Sequence, residues 1–500
     1  MSSDARVNRR RFLTVAAGAG AASVLAACGN TAPAAPAVGG AGSGGSTPAA
    51  STSAPAAAPT SAAAANTAPS GGASTAAPAA AGSTSAPAAA GGGMLNASTK
   101  VYVLLDKGVS DTGSFKATDL YNQAQPMAPQ ILMEDAPDGW DTKVLAQIKD
   151  KSLRWSGHGY IPYFDQYKRL KSGMIAPLDD LLQASKISWA HTQKDQYFTP
   201  RVYDSLRSDN KQYYIPMKIN VHMAGYRLDY VQAAGYDALP KTWDEIDKML
   251  PKMKAALAKD EVIPFAIQNE LWRAIGTTFS TFVEKPLDDM GVFKIESPEW
   301  MDMLTMFKKW TDAKLARYDI TADSTDIWQK GKIGMSLGSQ SWVRLGRQVW
   351  GPDKVKGAVP PQANASAPPR TWAHIDSSSV LTGGPNPAQA MDWLLSIYGP
   401  EGVPAQTWYT GTLTFSGSPI HQTWIDKLVT PNKDITEIGD VLKILPNSQI
   451  ASVAQANGFG ICQVLMPPYL DRIFKGELSV KDAMTKLRAE IDAEFAKQKA

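Results

Sequence analysis

Cysteine and histidine are scarce in this 500-residue chain, which has two of the first and five of the second. Cys28 lies in a leader-like stretch and Cys462 stands alone near the other end. No intrachain disulfide is therefore expected, and packing must hold the fold together. Cys462 reads as a buried small hydrophobe. The five histidines are far apart, with no H-E-x-x-H and no cysteine pair, so no metal and no cofactor is expected. Net charge is missing as well. The formal +3 resides in the first eleven residues, which carry four arginines and one aspartate, and the rest is balanced. Such a chain has no basic stripe for nucleic acid. Long apolar runs are absent too: the uncharged stretch from Phe12 to Ala27 is rich in Ala and Gly. It is short for a membrane span of about 20 residues.

The first hundred residues are not a folding unit. Asn8-Arg9-Arg10-Arg11-Phe12-Leu13 opens the uncharged run and Leu25-Ala26-Ala27-Cys28 closes it. A basic head, a short apolar core and small residues before a cut describe an export signal. The arginine pair resembles a twin-arginine signal, although Asn8 replaces the usual Ser or Thr. Leu-Ala-Ala-Cys resembles a bacterial lipobox, which implies lipidation of Cys28 and a membrane anchor. No charged residue lies between Cys28 and Lys100, and residues 29–99 are almost entirely Ala, Gly, Ser, Thr and Pro. That composition cannot offset chain entropy by burial and reads as a disordered linker. Roughly seventy residues of coil reach about 45–50 Å.

The remaining 400 or so residues exceed one ordinary core, and two lobes are the natural division. The organising stretch is Asp209 to Leu250. Asp209-Asn210-Lys211 is turn chemistry, Tyr213 to Ile215 suits a strand, and Pro216 is expected to interrupt pairing. Ile219 to Tyr226 resumes the strand. Thr242 and Glu245 have capping-box spacing at the start of a helix. A strand, a break, a strand and a capped helix suit a crossing between lobes.

The passages YYIPMKINVHMAGYRLDYVQAAGYDALPKTWDEI and DIWQKGKIGMSLGSQSW carry a resemblance. So do GMIAPLDDLL, NPAQAMDWLLSIYGPEG and GELSVKDA, in the same order along the chain. Together they resemble the extracellular solute-binding proteins of ABC importers, in the carbohydrate branch that includes maltose-binding protein. The resemblance implies a periplasmic-binding-protein-like type II α/β fold, two lobes joined by a hinge with a ligand cleft between them. It puts lobe 1 at 100–215 with about 374–425, and lobe 2 at 216–373 with about 426–500. The partners it implies are a sugar or oligosaccharide, permease subunits and, through the lipid, the membrane. The chain is expected to act as a monomer.

Candidate ligand contacts follow on the same basis. Trp155, His158 and Tyr160 are expected on a Gly-rich cleft loop, because Gly157 and Gly159 permit close approach. Asn220 stands where the branch offers an acid on its crossing strand, and Tyr226 ends that passage. Asn269 and Trp272 leave the strand Val262 to Ile267, with Glu270 and Arg273 as an ion pair beside them. Gln340 and Trp342 form a cleft loop with Ser339, and Trp372 and Asp376 mark the return crossing. Trp408 lies on a loop expected to close over the ligand. All fourteen tryptophans follow Lys100, and indole rings cover the C–H faces of sugars while amides and hydroxyls bond their hydroxyl groups. No catalytic residue is assigned. A carbohydrate-active or ester hydrolase is the alternative, since Gly334-Met335-Ser336-Leu337-Gly338 satisfies G-x-S-x-G. Ser336 is, however, read as part of a strand from Ile333 to Leu337 and not as an elbow.

Overall fold

Short β-branched runs alternate with amphipathic helices, and this alternation builds parallel sheet, because parallel neighbours need a crossover. The computed structural model describes residues 98–106, 113–320, 325–415 and 417–499. The signal, Cys28 and nearly all of the linker lie outside the described residues.

Strand β1 (Lys100–Leu105) is followed by α1 (Ser114–Ala124), β2 (Gln130–Asp135), α2 (Trp140–Lys149), β3 (Trp155–Ile161) and α3 (Tyr163–Lys171). β1 pairs in parallel with both β2 and β3. The Gly-rich stretch expected as a loop is therefore strand β3, and its glycines serve close packing: a Cβ on Gly159 would stand 3.2 Å from Trp393. A tight hairpin joins β4 (Arg207–Ser208) to β5 (Lys211–Gln212), with Asp209 and Asn210 at φ 49° and 61°. Both values are the left-handed ones that such turns require.

β6 (Ile215–Arg227) runs unbroken for 13 residues, all buried. Pro216 does not interrupt it. The irregularity appears in the partner instead, where the register shifts between Asp376 and Ser377, opposite Pro216. A residue with no N–H disturbs the ladder without ending the strand. After β6 comes α4 (Trp243–Ala256), whose capping box forms as its sequence predicts: Glu245 N donates to Thr242 Oγ1 at 3.3 Å, and Thr242 N to Glu245 Oε2 at 3.2 Å. Then follow β7 (Ile263–Gln268), α5 (Ala274–Phe282), α6 (Pro298–Asp312), β8 (Ala316–Ile320), β9 (Ile333–Ser339), α7 (Gln340–Trp350) and β10 (Val355–Ala358). β7 pairs in parallel with β8 and β9, a second parallel sheet. The chain continues through β11 (Trp372–Val380), α8 (Pro387–Ile397), α9 (Val403–Phe415), β12 (Gln449–Ile450), α10 (Ala456–Phe474) and α11 (Val480–Lys499).

The main strand order is β2-β1-β3-β11-β6-β9-β7-β8. β6 is the shared member. Ile215 to Val221 pair with β11, whereas His222 to Tyr226 pair with β9. β11 in turn pairs with β3. One long strand thus passes from one parallel sheet to the other, and β11 is the antiparallel return, giving the two-lobe type II architecture. Cys462 is fully buried and unpaired, as expected. Two expected loops are helices. Ser339 ends β9 and Gln340 to Trp342 open α7, while Trp408, Tyr409, Gly411 and Thr412 lie within α9.

Candidate functional site

The hinge strands carry a strict alternation, Met217-Lys218-Ile219-Asn220-Val221-His222, and β11 repeats it as Ala373-His374-Ile375-Asp376. Side chains on a strand alternate between faces, so each set of polar residues shares one side. The register joins the sets: His374 lies opposite Asn220, and Asp376 opposite Lys218. On the other side Ile219 meets Ile375, and Val221 meets Ala373, all buried in the core. The floor between the lobes therefore has a greasy back and a polar front.

Asp376 is the centre of that front. Its Oδ2 accepts from Asn220 Nδ2 at 2.8 Å and Tyr160 OH at 3.1 Å, and Lys218 Nζ lies 3.5 Å away. Lys218 and Asp376 are both nearly fully buried. Burial pulls the Lys218 ammonium below its ordinary pKa, and the Asp376 charge restores part of it. The pair cancels its own charge and leaves a neutral, hydrogen-bonding surface. The position where the family resemblance expected an acid holds Asn220, and the acid is supplied by the facing strand instead. Next along the face, His222 Nδ1 lies 2.9 Å from Thr277 Oγ1 and its ring is edge-on to His374 at 5.4 Å. Burial pushes the pKa of His374 down to about 4 and that of His222 well below the usual value. For His222 the neighbouring His374 and Arg273 push the same way. Both rings are neutral at pH 7.

Buried and half-buried groups from both lobes surround this floor. Trp272, on the loop after β7, stacks on Phe164 of α3 at 5.2 Å and lies 6.0 Å from His374. Tyr163, at the start of α3, lies 6.2 Å from His374. Gln166 Nε2 fixes α3 to β11 by donating to Ile375 O at 2.9 Å and Ser377 Oγ at 2.8 Å. Glu270 and Arg273 form the expected ion pair. Asn269 is half-buried on the same loop.

The structure thus brings Tyr160, Asn220 and Asp376 into one bonded cluster, with Trp272 near the neighbouring His374 and Asn269 on the same loop as Trp272. Gln340 is buried next to it: its Oε1 accepts from Ser418 Oγ at 2.6 Å, and Ser418 bonds the backbone of Ile219. The other residues read as ligand contacts lie elsewhere. Trp155 sits at the start of β3, away from the strand end, and donates to Glu134 at 2.8 Å. His158 is buried mid-strand, stacked on Trp140 at 4.6 Å and 3.3 Å from Asp106. Tyr226 packs in the second core. Trp342 is buried beside Trp328, whose ring nitrogen donates to its carbonyl. Trp372 stacks on Phe459 at 5.3 Å with no exposed surface. Trp408 is buried on α9 and donates to Ser114 at 3.1 Å. An indole-lined cleft is therefore not what these tryptophans form. An aromatic ring on an amphipathic segment is driven into the nearest interior unless a polar edge holds it out.

Lys218, His222, His374 and Phe164 were not read from the sequence as ligand contacts. The first three had a readable signal, the polar and apolar alternation on two facing strands. Phe164 had none, because its stacking partner comes from the other lobe. Ser336 is the fourth residue of β9, buried, and accepts from Gln268 Nε2 at 2.9 Å. A nucleophile elbow needs a sharp strand-to-helix turn at the serine, which this position lacks. Among the described residues there is no cluster of three or more metal-ligating side chains. Two depressions elsewhere on the surface, one near Val283 and Ser297 and one near Ser188 and Gln196, touch none of the hinge groups. Convergence of polar groups from both lobes, rather than depth, marks the site.

Solved structures share this architecture at low identity. An ABC substrate-binding protein of Listeria monocytogenes, in complex with cycloalternan, is 15% identical with a TM-score of 0.62, covering 80% of this chain and 99% of its own. The sugar-binding protein MalE of Xanthomonas citri is 16% identical with a TM-score of 0.65, covering 80% and 98%. An ABC transporter solute-binding protein of Thermotoga lettingae, bound with α-D-tagatose, is 14% identical with a TM-score of 0.61, covering 79% and 99%. The family model of the bacterial extracellular solute-binding proteins matches residues 116–419, more than half of the chain, and this protein belongs to that family.

Proposed function

We propose that this protein is the extracytoplasmic solute-binding lipoprotein of an ABC importer, which captures a carbohydrate by hinge closure and delivers it to the permease. The observation that carries the reading is the neutral polar floor around Asp376. Its one buried cation and one buried anion compensate each other, while Asn220, Tyr160 and His374 offer directional hydrogen bonds and Trp272 with Phe164 an aromatic edge. An uncharged polyol suits such a surface, and a strongly charged solute would have to separate the ion pair. The three structural relatives bind sugars or oligosaccharides by their descriptions.

The functional lobes run from 100 to 215 with about 374–425, and from 216 to 373 with about 426–500. A ligand that touches both favours the closed population by its differential affinity. The protein acts as a monomer and performs no chemistry on its ligand. Cys28 carries the lipid, export uses the twin-arginine-like signal, and residues 29–99 tether the lobes to the membrane. Titration calorimetry against cycloalternan, mannotriose and α-D-tagatose tests the ligand class. Saturable binding supports it, and binding of peptides or polyamines alone refutes it. For the anchor, Cys28→Ala should release the protein from membranes into the soluble fraction.

A further inference from the structure

Glycine within a strand loses more entropy on folding than other residues and packs nothing, so each such position needs a reason. Gly334 in β9 has one: a Cβ there would stand 2.3 Å from Met253 Sδ and 2.9 Å from Pro264 O. Gly225 in β6 is tight against Val343 at 3.3 Å. Gly338, near the end of β9, has no such constraint. A Cβ there would meet Gln268 Oε1 at 3.5 Å, Arg273 Nη1 at 3.7 Å and Gln268 Nε2 at 3.8 Å, all ordinary contact distances, and its φ is outside the left-handed region. Packing and backbone conformation both tolerate a side chain here.

The atoms around this bare spot are unusual. Gln268 is fully buried, and its Nε2 is committed to Ser336 Oγ at 2.9 Å. Its Oε1 has no hydrogen-bond partner, nor has Arg273 Nη1, although both are buried. An acceptor and a donor left unpaired away from water are costly unless something fills the space between them. Arg273 is already neutralised by Glu270, so the niche needs hydrogen bonds and not a counter-charge.

We propose that Gly338 is a specificity-determining position whose missing side chain admits a hydroxyl group of the ligand. That hydroxyl donates to Gln268 Oε1 and accepts from Arg273 Nη1. The inference rests on the carbohydrate reading above and deepens it: the ligand is an uncharged polyol that inserts a hydroxyl-bearing edge into the lobe of β7 and β9. A hydroxyl both donates and accepts at a single atom. A carboxylate cannot donate to Gln268, and an ammonium cannot accept from Arg273.

The test compares Gly338→Ala, Gly334→Ala and Arg273→Lys in the full chain, by thermal unfolding and by calorimetry with mannotriose, cycloalternan and α-D-tagatose. Gly338→Ala should unfold like the wild type yet bind about tenfold or more weakly, because one added methyl fills the space of the hydroxyl. Arg273→Lys should also weaken binding, since an ammonium lacks the guanidinium fork. Gly334→Ala should instead lower the unfolding temperature. Wild-type affinity in Gly338→Ala overturns the proposal. Should the wild type bind none of the three sugars, the carbohydrate reading fails and a crystal structure grown in glycerol decides the niche separately. A glycerol hydroxyl bonded to both Gln268 Oε1 and Arg273 Nη1 sustains it. An isolated water, an adventitious additive only, or a direct bond between those two side chains refutes it.

Discussion

Asp376 is the residue on which most of the hinge chemistry converges. Removing its charge with Asp376→Asn leaves the Lys218 ammonium buried without compensation. A loss of about 3–5 kcal/mol is expected, read from urea unfolding. The double replacement Lys218→Met with Asp376→Leu should recover much of that loss, because it removes the desolvation cost of both ions. The histidines set a pH dependence with a definite sign. The folded pKa of His374 is about 4, below its unfolded value, and that of His222 is also depressed. Between about 6.5 and the folded value the unfolded chain binds more protons, so stability is full above about pH 6.5 and falls as pH drops towards 4. His374→Gln should flatten that acid limb in unfolding measured from pH 7 to 4.5. An unchanged limb would mean that the ring is already charged in the native state.

At the scale of elements, the tryptophans divide by what their segments pack against. Trp372 on β11 and Trp408 on α9 are buried in separate interiors. Replacing either with Ala should cost about 3–5 kcal/mol of stability, by loss of transfer energy and creation of a cavity. Trp272 on its rim loop should behave oppositely. Trp272→Ala is expected to change stability little and to weaken sugar binding roughly tenfold or more, in the manner of an aromatic anchor. The capping box of α4 is a smaller device: Glu245→Ala should lower stability by about 1 kcal/mol, visible as a shifted denaturation midpoint. Much of this scale was legible. The capping box, the turn at Asp209 and Asn210 and the strand at Ile333 all form where the sequence places them. The Gly-rich segment of β3 and the segment of α9 were not, because neighbours supplied later in the chain decide whether such segments become loops. Gly159 is pressed by Trp393, more than two hundred residues away.

For the whole molecule, the consequence of two sheets sharing one strand is that groups of both lobes are gathered around one floor. A bound sugar at one hundred times its Kd should stabilise the protein by about 2.7 kcal/mol, measurable as a rise in unfolding temperature. The same ligand should reduce the radius of gyration in solution scattering if it favours closure. A ligand that stabilises without compaction would bind one lobe alone.

By itself the sequence determined the class of the molecule. Five ordered passages resemble the solute-binding family and imply its two-lobed receptor fold, while composition supplied the lack of a disulfide and of net charge, and turn and capping chemistry, being local properties of the chain, placed individual elements. Only the tertiary structure decided which side chains meet. Asp376 and Lys218 lie far apart along the chain and become partners through the register of two antiparallel strands, which also sets His374 opposite Asn220. Pairing of that kind depends on contacts between distant segments, which no local pattern encodes.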